Sequence, residues 1–181
     1  MSPAAESKLL FAGPMGAGKT TAVATISDRP PVSSEADNLD RGQCDKASTT
    51  VGLDYGETRL DDGHRLRLYG LPGQERFAFL WRVAADGALG VILLADHRRP
   101  EGADQLTPYL EALDGFARRG AMVVGVSHAD RGGLATGHYS SALLARGLRL
   151  PVFTVDVRQR GDVLLLLETL LLQLEAVELL S

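Results

Sequence analysis

The sequence predicts an α/β fold: a three-layer sandwich around a mainly parallel sheet of about six strands, one of them antiparallel, with helices on both faces. Three observations predict it. Short apolar runs alternate with longer helical segments along most of the chain, as in strands joined by crossover helices. One pair of runs is joined instead by Asp61-Asp62-Gly63-His64, a tight-turn signal that pairs its neighbours antiparallel. The first apolar run, Lys8-Leu9-Leu10-Phe11-Ala12, enters a helical segment through a glycine-rich loop.

The elements follow in order. Residues 8–12 read as a buried strand, and 20–27, free of Gly and Pro, as the start of a helix. Residues 28–50 form a long irregular segment rich in Ser, Asp and Pro, and a loop of that length is usually functional or mobile. Residues 51–60 read as a strand, and 65–69 alternate polar and apolar, so the two form the hairpin. The run 87–95 (GALGVILLA) suits a central strand buried on both faces. Helical spacing covers 103–118, ended by Gly120, although Pro108 blurs its start. A buried strand at 121–126, a helix at 138–146 and a last strand at 150–155 follow. The final helix runs from about 162 to 179, with Asp162 as its expected cap. That helix is unusually rich in leucine, which points to deep burial or to a protein contact. The whole of 1–181 reads as one domain, without repeats or low-complexity tracts.

Gly13-Pro14-Met15-Gly16-Ala17-Gly18-Lys19-Thr20 fits the phosphate-binding pattern G-x-x-x-x-G-K-[ST], in the strand–loop–helix context that gives the pattern meaning. Glycines let backbone N–H groups curl around a phosphate chain. Lys19 would reach the outer phosphates, the Thr20 hydroxyl would ligate Mg²⁺, and the helix N-terminus adds a field that favours anions. The nucleotide-binding residues expected here are Gly13, Met15, Gly16, Ala17, Gly18, Lys19, Thr20 and Thr21. In a mainly parallel sheet ligands bind beyond the carboxyl ends of the strands, where this loop and the segments after four other strands fall.

Those segments carry a resemblance. Ser48-Thr49-Thr50-Val51-Gly52-Leu53-Asp54, Tyr69-Gly70-Leu71-Pro72-Gly73-Gln74-Glu75-Arg76-Phe77, Val126-Ser127-His128-Ala129-Asp130 and Thr154-Val155-Asp156-Val157-Arg158 line up, with the glycine-rich loop, against the Ras-like small GTPases over nearly the whole chain. The x-x-P-G form of the second segment resembles bacterial GTPases of the MglA type, and the chain as a whole is similar to the group likened to the signal recognition particle receptor β subunit. The resemblance implies a P-loop NTPase fold, specifically a small G-domain, that binds GTP or GDP with Mg²⁺ and hydrolyses GTP. By that resemblance Thr50, with Thr49 as the alternative, binds Mg²⁺ and senses the γ-phosphate from switch I. Gly73 offers its N–H to the γ-phosphate, and Gln74 orients the attacking water. Arg41 in switch I and Arg76 in switch II are candidates for an arginine acting in cis. Met15 stands where many relatives have a small residue, and could crowd an arginine arriving from outside. The resemblance also implies partner binding through switch I (about 28–50) and switch II (about 70–80), with protein effectors and a roadblock-type activator as partners.

The chain departs from the family at three points. Gly70 stands where the family has its Walker-B aspartate, and Asp54 on the neighbouring strand is the candidate replacement, or else a strand carboxylate facing solvent. The base-reading segment keeps only Asp130, which would accept two hydrogen bonds from guanine, while His128 replaces a lysine. In the last segment Val155 and Asp156 fall where a backbone N–H contacts the guanine oxygen, but the side chains do not match. These departures keep two other readings open: a degenerate GTPase that holds nucleotide with little turnover, and a P-loop ATPase or small-molecule kinase.

Composition narrows the class further. The chain has 181 residues, 45% of them hydrophobic, enough for a sizeable core. A formal charge of -4 argues against nucleic-acid binding driven by net positive charge. A single cysteine, Cys44, excludes an internal disulfide framework. No signal peptide, lipidation motif or membrane-length apolar run is present, so the expectation is a cytoplasmic protein without a direct membrane anchor.

Overall fold

The computed structural model describes residues 6–34 and 52–179. Arg41, Cys44, Thr49 and Thr50 lie outside the described residues. The strands are β1 (Glu6–Ala12), β2 (Val32–Ser34), β3 (Leu53–Arg59), β4 (Arg65–Gly70), β5 (Ala88–Asp96), β6 (Met122–Ser127) and β7 (Val152–Thr154). They form one sheet in the order β2-β3-β4-β1-β5-β6-β7. β1 pairs parallel with β4 and β5, β6 parallel with β5 and β7, and β3 antiparallel with β2 and β4. One strand, β3, therefore runs against all the others, as expected.

The helices are α1 (Lys19–Ile26), α2 (Ala78–Ala85), α3 (Thr107–Ala112), α4 (Asp114–Arg118), α5 (Leu134–Ala145) and α6 (Arg160–Leu179). Strand alternation divides the core into two layers. Leu9, Phe11, Ile92 and Leu94 point to one face, against Val23 and Ile26 of α1 and Val163, Leu166, Leu167 and Leu170 of α6. Leu10, Ala12, Val91 and Leu93 point to the other, against Trp81, Tyr109, Phe116 and Tyr139. The result is the three-layer sandwich.

Several boundaries differ from expectation. The sheet has a seventh strand, β2, inside the segment read as irregular. Three residues are too few to leave a periodic signal, and it is the ladder of Val32, Ser33 and Ser34 with Tyr55, Asp54 and Leu53 that makes them a strand. The single helix expected over 103–118 is a 3₁₀ turn at 102–106 followed by α3 and α4, broken at Leu113 (φ -116). Gln105 explains the 3₁₀ turn. Its buried amide accepts from the Asp96 N–H at 2.7 Å and donates to the Asp96 and Gly102 carbonyls, tying the turn to the end of β5. α5 starts at Leu134 rather than near 138, after Gly133 at φ +81. β7 is shorter than 150–155.

Asp162 is not the cap of α6; it sits in the first turn. Its carboxylate is taken by two donors from elsewhere, the Asp156 backbone N–H at 2.8 Å and the Arg131 guanidinium at 2.9 Å. The leucines of α6 divide. Leu166, Leu167 and Leu170 are core, while Leu165, Leu172 and Leu179 are exposed.

Candidate functional site

The parallel strands deliver their following loops to one edge, where a cavity of about 850 Å³ opens. Met15, Gly16, Gly18, Lys19, Thr20, Thr21, Asp54, Gly73, Gln74, His128, Val155 and Asp156, twelve of the predicted site residues, line it. Gly13, Ala17 and Asp130 do not line it. Gly13 acts through its carbonyl, and Ala17 is fully buried beneath the loop.

The glycine-rich loop is held from inside. The Lys19 Nζ donates to the carbonyls of Gly13 at 2.7 Å and Pro14 at 2.8 Å, bridging the loop it belongs to. Burial pulls the Lys19 ammonium down to about 8, against a smaller upward pull from Asp54. A cation held at the edge of its charged range is primed for an anionic ligand, which restores the missing counter-charge. Gly18 precedes α1 at φ +97, and a Cβ there would lie 2.6 Å from Val157 Cγ2, so backbone and packing both require glycine.

Asp54 lies in the β3–β4 register directly opposite Gly70. It is buried, and its Oδ2 accepts from the Thr20 hydroxyl at 2.5 Å. A Cβ at residue 70 would come within 3.0 Å of Asp54 Oδ2 and 3.1 Å of Asp54 Cβ. A carboxylate thus stands beside Thr20 from across the ladder, and the solvent-facing alternative for Asp54 does not hold. Among the described residues no group of three or more His, Cys, Asp or Glu side chains is arranged for a metal. Mg²⁺ needs less, since it usually takes one or two protein oxygens and fills its octahedron with phosphates and water. A hydroxyl and a carboxylate converging on one point fit that ion.

Gly73 rests on the glycine-rich loop: a Cβ there would meet Met15 N at 2.5 Å, Pro14 C at 2.8 Å and Lys19 Nζ at 3.0 Å. Two side chains fix this segment from behind. The Tyr109 hydroxyl donates to the Gly73 carbonyl at 2.5 Å, and the buried Trp81 Nε1–H donates to the Pro72 carbonyl at 2.7 Å. The Gln74 Nε2 donates to the Met15 sulfur at 3.2 Å. Arg76 does not line the cavity; its guanidinium lies over the Phe77 ring, 4.8 Å from the centroid.

The far wall comes from the loops after β5, β6 and β7. The chain leaves β6 through His128 in the left-handed region (φ +57), with the His128 Nε2 3.2 Å from the Gly16 carbonyl. His128, Ala129 and Arg131 line the wall, whereas Asp130 is exposed outside it. In the last loop the Val155 N–H donates to the Val126 carbonyl and the Asp156 N–H to Asp162. Both amides expected to face a base oxygen are therefore already used, by the β6–β7 ladder and by a side chain from α6. The Asp156 carboxylate faces the Arg158 guanidinium, whose hydrogen bonds pull it down to about 2.

One pair escaped the sequence reading. Asp96, buried at the end of β5, accepts from Arg98 Nε at 3.0 Å and Nη2 at 2.8 Å, which holds its carboxyl below the usual range. Arg98 lines the cavity, and Gly16 lies against the pair. The available signal was an acidic residue at the carboxyl end of the most apolar strand, the edge where ligands bind. Tyr109 and Trp81 left no local signal, because their partners lie 36 and 9 residues away.

Among solved structures, the chain is similar to that of a bacterial selenocysteine-specific elongation factor, EF-Sec, with a TM-score of 0.67 and 20% identity, over 92% of this chain. The fold is that of a small P-loop G-domain. The match spans 29% of the length of that structure. No family model matches the chain, and no curated protein does. No described helix is long and apolar enough to cross a membrane.

Proposed function

We propose that this protein binds GTP with Mg²⁺ in the cavity, hydrolyses it to GDP and phosphate, and presents a different surface to protein partners in each state. One observation carries the reading: Lys19 Nζ, the Thr20–Asp54 pair and the Gly73 backbone converge at one end of the same cavity. Such an end suits the terminal phosphates of a nucleotide, because it combines a buried cation, a metal-fitting oxygen pair and backbone at close approach.

In this reading Lys19 exchanges its carbonyl partners for phosphate oxygens and stabilises the charge that gathers there. Thr20 and Asp54 hold Mg²⁺, which when bound neutralises phosphate charge. Gly73 contributes its N–H to the terminal phosphate. Gln74 leaves the Met15 sulfur to orient water, which attacks the γ-phosphorus in line as the bond to the bridging oxygen breaks. Loss of the γ-phosphate then removes the contacts that hold the switch segments, so partners read the nucleotide state. Protein effectors, a roadblock-type activator and a cytoplasmic location belong to this proposal, as does the finer likeness to MglA-type proteins carried by Gly70-Leu71-Pro72-Gly73-Gln74.

The deciding experiment is equilibrium titration with fluorescent GDP and ADP in the presence of Mg²⁺. Clear preference for GDP is the expected result, and preference for ADP would sink the reading in favour of an ATPase or kinase. A second reading, a nucleotide-binding module with little turnover, is favoured by the Gln74–Met15 hydrogen bond, which holds the water-orienting amide elsewhere. Single-turnover hydrolysis of bound GTP, with and without an activator, separates the two.

A further inference from the structure

The far wall of the cavity presents one acidic side chain, and it is not the one that its place in the sequence favours. Asp156 lines the cavity, whereas Asp130 is exposed outside the wall. The Arg158 guanidinium donates to Asp156 through two parallel bonds, Nε to Oδ1 at 2.9 Å and Nη2 to Oδ2 at 2.8 Å, and the Arg158 backbone N–H adds a third to Oδ1 at 3.0 Å that does not depend on the guanidinium. That fork of two adjacent N–H donors facing two carboxylate oxygens has a counterpart in nucleobase chemistry. Guanine offers the same donor pair through N1–H and its 2-amino group, and adenine does not. We infer that Asp156, rather than Asp130, is the carboxylate that reads guanine, and that Arg158 is a guanidinium surrogate which the base displaces. The inference rests on the GTP reading above.

Three further observations favour the exchange. Asp156 is presented from a pinned backbone: its N–H donates to Asp162 Oδ2 at 2.8 Å, and the same oxygen accepts from Arg131 at 2.9 Å, joining the loops after β6 and β7. The two partners differ in freedom, since the Arg158 side chain is 77% exposed and that of Asp156 30%. An exposed guanidinium gives up such a pair at small cost, because water replaces what it loses. Asp156 also stays ionised at neutral pH without Arg158, since an ordinary aspartate already titrates near 3.9. Carboxylate and base therefore meet with the charge in place.

The test is titration of the full chain with fluorescent GDP and with xanthosine diphosphate, whose base keeps N1–H but carries an acceptor at position 2. An asparagine can accept from N1–H and donate to that acceptor. D156N is expected to weaken GDP binding by about 10- to 100-fold, the scale of losing a charge-assisted pair of hydrogen bonds, and to strengthen xanthosine diphosphate binding. D130N is expected to leave both affinities close to wild type. R158A, which removes the competitor and leaves Asp156 intact, is expected to tighten GDP binding several-fold. The inference is overturned if D130N produces the exchange of preference and D156N does not. It is equally overturned if R158A leaves GDP affinity unchanged or weaker, a result that stands even if D156N fails to fold. Wild-type protein without a preference for GDP over ADP would instead remove the GTP reading itself.

Discussion

Asp54 stands opposite Gly70 across the β3–β4 ladder, and its carboxylate lies over the glycine, 3.0 Å from where a Cβ at position 70 would sit. The absence of a side chain at one position and the presence of an acid at the other are a single structural fact. A side chain at position 70 would crowd the Asp54 carboxylate and place a like charge beside it, so G70D is expected to weaken Mg²⁺-dependent nucleotide binding rather than to restore a missing ligand. D54N is expected to lower Mg²⁺ affinity by about 10- to 100-fold, as loss of a metal-orienting carboxylate does. Titrating Mg²⁺ against bound fluorescent GDP measures both, and a G70D protein that binds Mg²⁺ more tightly would contradict the relationship.

Lys19 predicts a pH dependence with a definite sign. Its folded-state value of about 8 lies below the ordinary 10.5, so between these values the unfolded chain binds more protons than the folded one. The nucleotide-free protein should therefore gain stability as pH rises through that window, by an amount bounded at about 3 kcal/mol. Nucleotide binding should run the other way. A phosphate raises the lysine's affinity for its proton, so affinity should hold steady below about pH 8 and fall above it, by at most about tenfold per pH unit. Thermal melts and GDP titrations from pH 7 to 10 test both slopes, and K19M should abolish them.

Gly73 has no room for a methyl group, since the added carbon would lie 2.5 Å from Met15 N and 3.0 Å from Lys19 Nζ. G73A must push the 72–74 segment away from the glycine-rich loop. It should cost about 1–3 kcal/mol of stability, the usual scale of overpacking, and should lower single-turnover hydrolysis by more than GDP affinity. Equal losses in the two would argue that Gly73 is only a packing residue.

Trp81 is the chain's sole tryptophan, and its indole N–H donates to the carbonyl next to Gly73. Its fluorescence should therefore report the Pro72-Gly73 segment directly. Emission is expected to differ between GDP and a non-hydrolysable GTP analogue, and W81F should cost about 1–3 kcal/mol through the unpaired buried carbonyl of Pro72. Identical spectra in the two states would mean that Pro72 and Gly73 do not move together.

Much of the fold was legible locally. The hairpin at 61–64, the apolar run of β5 and the glycine-rich loop each carry their signal within about ten residues, because turn chemistry and burial on both faces of a sheet act on adjacent positions. Where a side chain's partner lies far along the chain, the reading weakened. Asp162 reads as a helix cap only if the helix starts there; α6 starts at Arg160, which puts Asp162 inside the first turn, where Arg131 and the Asp156 amide take its carboxylate. The helix expected over 103–118 opens as a 3₁₀ turn because buried Gln105 bonds to the end of β5, and it breaks again at Leu113.

The sequence by itself determined an α/β chain with a glycine-rich loop between strand and helix, and the loop pattern named Lys19 and Thr20 because it is set by immediate neighbours, whereas Gly73 and Gln74 were named by resemblance of their segment to a family motif. Only the tertiary structure decided which acid stands beside Thr20, which acid faces the cavity from the last loop, and what fastens Pro72 and Gly73 from behind. Those are distances between residues on different strands and helices, and they exist only once the sheet has brought Asp54 against Gly70, Asp156 against Arg158 and Tyr109 against Gly73.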